Sequence, residues 1–191
     1  MKKISYAVVL AALVLLAGFL LRDPKPAQPS PTASVSPTVT QSVLGQTTKT
    51  TGCTVTNGLP DTACTPGGID PKVTQDNIQS TICVSGYSSG VRPAESVTNK
   101  IKKERLLAYG DSDSMSDYEL DHLVSLELGG CPDCVANLWP EPYNIPLGAR
   151  QKDTVENYLH KQVCNGAMSL HDAQEAVATD WESVYNQLPK N

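Results

Sequence analysis

The sequence predicts a small α+β domain braced by disulfides, which follows a membrane anchor and a disordered linker. Three observations support this prediction: an apolar run at the start of the 191-residue chain, a stretch rich in proline, serine and threonine after it, and six cysteines that follow both. The cysteine-bearing part combines strand-like alternation with helical spacing of its apolar residues. We therefore divide the chain into an anchor or signal peptide at residues 1–22, a linker at 23–52 and a folded domain at 53–191.

The first segment has the features of a membrane-entering helix. Lys2 and Lys3 precede Ile4–Leu21, a run of 18 residues without a charge. As a helix this run spans ~27 Å, close to the ~30 Å hydrocarbon core of a bilayer. Its length and the lack of a small-x-small cleavage site favour an uncleaved signal anchor, with a cleaved signal peptide as the alternative. The two lysines are expected to stay cytoplasmic, which leaves the domain outside, either membrane-anchored or secreted.

The linker at residues 23–52 is a spacer. It is rich in proline, serine and threonine and has few large apolar side chains, so it cannot bury a core of its own. Proline fixes φ and removes backbone donors, which predicts an extended segment.

The charge of the domain limits the partners that it can bind. Residues 53–191 carry 10 cations and 19 anions, a net charge of −9. This excludes a strongly basic nucleic-acid binder and argues against tight non-specific binding to phosphate, while weak or transient contact with nucleic acid stays possible. Half of the cations lie between Arg92 and Arg105, and they form either a solvated helix face or a strip that faces phosphate.

The six cysteines indicate disulfides. An even number of cysteines in a small exported domain is typical of an oxidising compartment. Our preferred pairing is Cys53–Cys64, Cys83–Cys164 and Cys131–Cys134. Zinc is the alternative, because Cys131, Cys134, His160 and Cys164 offer four tetrahedral ligands, but an oxidising compartment disfavours a structural zinc ion.

The first half of the domain is predicted from turn signals and periodicity. Glycine, proline, asparagine and aspartate punctuate residues 53–90 and indicate loops with short strands. A helix is predicted over Val97–Tyr109, because Ile101, Leu106 and Leu107 form an apolar side.

A β-hairpin and two helices follow. Tyr118–Leu128 alternates, and the chain returns at Asn137–Pro140 with two cysteines in the connecting loop. Arg150–Cys164 has helical spacing and ends before a glycine. The last helix begins after Ser169 and carries an apolar stripe to Leu188, which we interpret as a packing face.

The segment that begins with Asp121-His122, reaches Gly129-Gly130 and continues with Asn137-Leu138 and a helix resembles the HNH, or His-Me finger, nuclease motif. In that family a β-hairpin and a helix, the ββα-metal core, hold one divalent metal ion. The resemblance covers residues 118–157, and residues 64–188 as a whole resemble small exported bacterial proteins with this motif. The wider likeness is carried by Thr74-Gln75-Asp76-Asn77, Thr81-Ile82-Cys83, Val91-Arg92-Pro93, Leu138-Trp139-Pro140-Glu141 and Thr179-Asp180-Trp181.

The resemblance implies a role for each matched residue. His122 is the general base for water, Asp121 is the metal ligand, and the side-chain carbonyl of Asn137 orients the His122 ring. A neutral imidazole suits this role, and Mg²⁺, or alternatively Mn²⁺, suits an oxygen-ligand site that keeps several waters. Phosphodiester hydrolysis needs such a base and a positive charge at the leaving oxygen. Neighbouring strand residues point to opposite sides, so a bulge or turn at Asp121 and His122 is needed for both to serve one site.

The helix that follows departs from the family pattern. The family commonly has His or Asn at its start, whereas Gly148–Asp153 contains no histidine. Asn144 or Asp153 are the substitutes for the missing ligand. Alternatively, Arg150 or Lys152 supplies the positive charge directly.

The other candidate site residues follow from charge. Arg150, Lys152, Lys102 and Lys103 are the candidate phosphate contacts, and Glu127 is a possible extra metal ligand. His160 and His171 are assigned no catalytic role.

Three functions therefore remain open at this point: the two described next, and a structural, disulfide-braced domain whose partner is another envelope protein. The first is a metal-dependent endonuclease that acts on nucleic acid outside the cytoplasm. The second is a catalytically degenerate binding module of the cell envelope with the same fold, which the missing helix ligand and the acidic charge favour. The sequence indicates a membrane partner through the N-terminal helix and identifies no protein partner.

Overall fold

The structure is a computed structural model that describes residues 44–189. The anchor predicted at residues 1–22 and most of the linker, residues 23–43, lie outside the described residues. Within residues 44–189, every helix is too short or too polar to cross a bilayer.

The described residues form an α+β fold with two small antiparallel sheets, as the sequence predicts. The strands and helices follow one another along the chain in this order: β1 (Val55–Thr56), β2 (Leu59–Pro60), α1 (Tyr87–Val91), α2 (Glu95–Tyr109), β3 (Tyr118–His122), β4 (Leu138–Pro142), α3 (Ala149–Cys164) and α4 (Leu170–Gln187), which is kinked at Asp180. Strand β1 pairs with β2, and β3 with β4. The predicted helices begin within two residues of the observed starts, whereas α1 was not predicted because its five residues are too few to show a helical period.

The hairpin of β3 and β4 is the frame on which the candidate site is built. Glu119 lies opposite Glu141, and Asp121 lies opposite Trp139. Directly opposite residues of an antiparallel pair share one face, so these four side chains lie on the same side of the hairpin. Short 3₁₀ turns at Leu126–Leu128 and before β4 shape the long connecting loop.

Two glycines close that loop tightly. Gly129 has a φ of 73°, a left-handed conformation that glycine adopts without steric cost. A Cβ atom on Gly130 would lie 1.7 Å from the carbonyl oxygen of Val124, so a side chain at this position is excluded. The Gly130 amide donates to the Ser125 carbonyl at 2.8 Å, and this close return of the chain holds the loop against the end of β3.

The core lies between the hairpin and the last two helices. Val155, Leu159 and Val163 of α3 are fully buried, as are Val177 and Trp181 of α4. Their spacing places each set on one face of its helix. The predicted packing stripe of the last helix is therefore confirmed.

Three disulfides brace the described residues, and none of the cysteines there is free. They join Cys53 to Cys64, Cys83 to Cys164, and Cys131 to Cys134, which confirms the preferred pairing. Cys131 and Cys164, two of the four ligands of the alternative zinc site, thus belong to different disulfides.

The end of the predicted linker packs against the domain. The Leu44 amide donates to the Gly67 carbonyl, and the Thr48 and Lys49 amides donate to the Ala63 carbonyl. Lys49 also forms an ion pair with Asp61 at 2.9 Å. Residues 44–52 were predicted to be spacer because their composition is polar, but backbone hydrogen bonds do not depend on side-chain hydropathy.

Candidate active site

The end of β3 places Asp121 and His122 on the wall of one cavity of about 190 Å³. Helix α3 supplies the opposite wall, and Arg92 lies at its exposed edge. The cavity is rich in carboxylates, which belong to Glu119, Asp121, Glu127, Asp153 and Glu156. The two motif residues therefore meet in one space, although they are neighbours on a strand, because the strand ends at His122.

The His122 ring is held by a backbone carbonyl. Its Nε2 lies 2.9 Å from the carbonyl oxygen of Pro132 in the hairpin loop. A carbonyl only accepts, so Nε2 donates, and Nδ1 of the neutral ring keeps a lone pair. Burial lowers the pKa of His122 from its ordinary value of 6.5, and the Pro132 bond and the Asp121 charge oppose this only in part. The imidazole is therefore neutral near pH 7.

Asp121 is anchored by two donors. Its Oδ2 atom lies 2.8 Å from the ammonium of Lys152 and accepts the indole N–H of Trp139 at 3.2 Å. Both partners are buried, so the carboxylate is fixed in direction.

Lys152 differs from its expected role as a phosphate contact. It is only 1% exposed, and its ammonium donates to the backbone carbonyl of His122 at 3.0 Å as well as to Asp121 and Glu156. Burial alone would lower the pKa of Lys152, but the surrounding carboxylates outweigh it and raise the pKa. Lys152 is thus an internal cation that binds both motif residues, and its partners leave it no room to bind a phosphate at the surface.

Asn137 also differs from its expected contact. Instead of binding the His122 ring, its Oδ1 accepts the amides of Gly68 and Val124 at 3.2 and 2.9 Å. Its Nδ2 donates to the carbonyls of Val124 and Cys131 at 3.0 and 3.1 Å. Because Asn137 is fully buried, it braces the hairpin loop and acts on His122 only through that loop.

The structure separates the remaining candidate phosphate contacts. Lys102 donates to the Tyr118 carbonyl at 2.7 Å and lines a second cavity, of about 170 Å³, together with Arg92 and His122. Arg150 and Lys103 are exposed and lie outside the linings of both cavities next to His122. Part of the predicted cationic strip, Arg92 and Lys102, therefore reaches the candidate site.

The carboxylates around the cavity carry more negative charge than the nearby cations neutralise. Burial, followed by the charge of neighbouring carboxylates, raises the pKa values of Glu119 and Asp153. Burial is also the main reason why the pKa values of Glu127 and Glu156 are raised. An additional cation in the cavity would relieve this repulsion.

The donor set fits a hard divalent cation. The cavity offers carboxylate oxygens, and Mg²⁺ is commonly held by one or two carboxylates with the rest of its shell made of water and substrate oxygens. Among residues 44–189, groups of three converging His, Cys, Asp or Glu ligands occur only around cysteines that are already in disulfides, so Asp121 is not part of such a cage. An open site of one or two carboxylates is what the geometry supports.

No family model, curated protein or solved structure matches this chain. The interpretation of the site therefore depends on its own geometry and on the motif.

Three buried side chains at the site were not singled out from the sequence. Glu156 lies four residues after Lys152 on one helix, a spacing that could have indicated the ion pair. Glu141 is 1% exposed, and neither of its oxygens has a hydrogen-bond partner among the described residues. The Ser125 hydroxyl is likewise buried without a partner there, and it lines the cavity. The last two had no sequence signal, because their burial depends on distant elements.

Proposed function

We propose that the domain is a metal-dependent endonuclease that hydrolyses phosphodiester bonds of nucleic acid outside the cytoplasm. One observation carries the proposal: a neutral imidazole, with its ring fixed through Nε2, lines the same cavity as an anchored aspartate and several further carboxylates. The imidazole and the aspartate each have a role in this reaction, and they are the two residues with which the HNH-like motif begins.

His122 is the general base of the proposed mechanism. Its Nδ1 takes the proton of the attacking water, and the ring then becomes an imidazolium. The Pro132 carbonyl accepts the Nε2 proton throughout, which keeps the ring in one orientation and stabilises the positive charge that forms on it.

The proposed metal ligand is Asp121, with Asp153 as the second carboxylate of the same cavity. When bound, Mg²⁺ or Mn²⁺ supplies positive charge to the leaving oxygen. Asp153 substitutes here for the histidine or asparagine that the helix lacks, whereas Asn144 is exposed and outside the cavity lining. Lys152 orients Asp121 and adds a fixed positive charge beneath the site.

Arg92 and Lys102 are the proposed phosphate contacts. Both line the second cavity next to His122, in which a backbone phosphate next to the scissile bond can lie. Among residues 44–189, Arg92 and Lys102 are the only lysine or arginine side chains that line the two cavities next to His122, which agrees with weak binding by an acidic domain.

The proposal includes the location of the domain outside the cytoplasm. Three disulfides fit an oxidising environment outside the cytoplasm. Residues 1–22 would then anchor the domain to the membrane, or release it if they are cleaved.

A plasmid assay tests the proposal. We expect the purified chain to nick supercoiled plasmid with Mg²⁺ or Mn²⁺ and to lose this activity on addition of EDTA. The variant His122→Ala should be inactive with an unchanged circular dichroism spectrum, while the exposed His171→Ala is the matched control and should remain active. Nicking that persists in His122→Ala would exclude the proposed mechanism.

The second candidate is a catalytically degenerate HNH-fold binding module of the cell envelope. It is favoured by the ion pair between Lys152 and Asp121, which occupies one oxygen of the proposed metal ligand. Calorimetry with Mg²⁺ and Mn²⁺ separates the two candidates. No heat of binding, together with a thermal midpoint that divalent ions leave unchanged, would support the binding module.

A further inference from the structure

The carbonyl that holds His122 belongs to a short segment closed by a disulfide. Pro132 lies between Cys131 and Cys134, which are joined to each other. Its oxygen is 2.9 Å from Nε2 of His122. The orientation of the proposed base is therefore set by backbone that the disulfide constrains.

Backbone hydrogen bonds also tie the two ends of this segment to the rest of the domain. Before Pro132, the Cys131 amide donates to the Gly68 carbonyl at 2.9 Å, and the Cys131 carbonyl accepts from Asn137. After Pro132, the Asn137 amide donates to the Cys134 carbonyl at 2.8 Å. Between these points the sulfur–sulfur bond is the covalent restraint on Pro132.

We propose that the disulfide between Cys131 and Cys134 positions His122 and makes the activity of this site depend on oxidation. The inference deepens the proposed function, on which it rests. In the oxidised chain Pro132 holds the ring with its proton on Nε2. In the reduced chain the segment is released, and the ring loses the acceptor that fixes its tautomer and direction.

The redox step is an exchange with a dithiol. The disulfide takes up two electrons and two protons, the bond between the sulfurs breaks and two thiols form, while the dithiol becomes a cyclic disulfide. Cys134 is partly exposed, and the exchange would begin with attack of a thiolate on this disulfide. The chain synthesised in a reducing cytoplasm would thus carry a misplaced base, and export into an oxidising compartment would activate it.

One of the other two disulfides provides a matched control. Cys53–Cys64 encloses β1 and β2, and Cys83–Cys164 joins the turn before α1 to the end of α3. The Cys53–Cys64 pair encloses no residue that hydrogen-bonds to His122 among the described residues, so it is the control that we use. A double variant of Cys53 and Cys64 therefore shows the effect of losing a disulfide while the Pro132 carbonyl stays in place.

The test compares two double variants of the full chain in the plasmid assay. For Cys131→Ala/Cys134→Ala we expect kcat to fall by about 10- to 100-fold with little change in KM, because a misplaced base slows the chemical step. For Cys53→Ala/Cys64→Ala we expect kcat within about twofold of the parent chain, since its catalytic geometry is intact. Equal kcat losses in both variants would overturn the proposal, because they would indicate general destabilisation.

A spectroscopic measurement keeps the proposal testable whether or not the chain cleaves nucleic acid. With ¹⁵N-labelled histidine, the ring nitrogens of His122 should show a protonated Nε2 in the parent chain and a mixture of tautomers in Cys131→Ala/Cys134→Ala. The parent chain treated with dithiothreitol should show the same change, and reoxidation should reverse it. Unchanged His122 signals after reduction of this disulfide, verified by thiol labelling, would overturn the proposal. Absence of nicking by every chain, with the tautomer change present, would refute the nuclease function and leave the positioning role intact.

Discussion

The two sides of the candidate site hold the motif residues by different means. On the neutral side, formed by the hairpin loop, His122 is oriented by the Pro132 carbonyl, and the loop is braced by the amide of Asn137. On the charged side, formed by β4 and α3, Asp121 is held by an ammonium among buried carboxylates. The comparison teaches that the two side chains are fixed by different kinds of contact. A neutral hydrogen bond orients the ring of His122, the proposed base, whereas an ion pair holds the carboxylate of Asp121, the proposed metal ligand.

The largest change in stability is expected from a substitution on the charged side of the site. Lys152→Met removes the cation among Asp121, Glu156 and Glu141, and we expect the free energy of unfolding to fall by about 3–5 kcal/mol at neutral pH, because buried charges lose their partner. The loss should shrink at acidic pH, where Glu156 and Glu141, whose pKa values burial raises, become protonated. Urea unfolding at about pH 8 and about pH 5 measures both, with the exposed Lys161→Met of the same helix as control. A loss that is equal at the two pH values would contradict the charged character of this side.

The neutral side gives the next largest effect. Asn137→Ala removes one hydrogen bond from each of two buried amides and two buried carbonyls, and we expect a loss of about 3 kcal/mol in the free energy of unfolding. No charge is involved, so the loss should be the same at both pH values. Urea unfolding with the exposed Asn99→Ala as control provides the measurement. A strong pH dependence would show that the two sides are not independent.

A smaller effect concerns Glu141 on the charged side. Burial, and then the Asp121 charge, raises the pKa of Glu141 well above its ordinary value of 4.5. The folded state therefore keeps a proton that the unfolded chain releases, so the unfolding free energy decreases as pH rises from 4.5 through the folded-state pKa. The slope reaches at most about 1.4 kcal/mol per pH unit for one proton.

Glu141→Gln should remove this part of the slope. Thermal unfolding across that pH range measures it, and the exposed Glu104→Gln serves as control. The prediction would be wrong if the two variants had the same pH profile.

The smallest effect is expected at the edge of the cavity. Arg92→Ala should raise KM for plasmid by roughly fivefold, an effect of about 1 kcal/mol, and the increase should diminish at high salt. Arg150→Ala is the matched control, because Arg150 is exposed and outside the linings of both cavities. Equal changes in KM for the two variants would mean that Arg92 contacts substrate no more than the general surface does.

The hairpin, the last two helices and the presence of disulfides could be predicted because their signals are local, whereas the sequence left open the choice among the 15 pairings that six cysteines allow. Alternation in Tyr118–His122, helical spacing in Ala149–Cys164 and the positions of cysteines are visible without knowledge of distant contacts. Asp121 and His122 are neighbours in the sequence, so their presence in one cavity also follows from a local signal.

The misassigned contacts involve polar residues whose partners come from elsewhere in the chain. A lysine in a helix with mixed charges is expected at the surface. Lys152 is nevertheless buried, and its ammonium is paired with Asp121 on β3 and with Glu156 on its own helix. Asn137 was assigned to the His122 ring, but its amide matches four backbone groups that become adjacent only when the loop closes. Whether a charged side chain is buried depends on the assembled fold, so the spacing of residues in the sequence does not predict it.

The disulfide between Cys83 and Cys164 has a mechanical consequence. It joins residues that are 81 positions apart, and the hairpin, α2 and α3 all lie between them. When the chain is pulled from its two ends, tension crosses this covalent bond and bypasses the enclosed segment. In an optical trap the oxidised chain would then extend less than the reduced chain, by the lengths of the segments that Cys83–Cys164 and Cys53–Cys64 enclose.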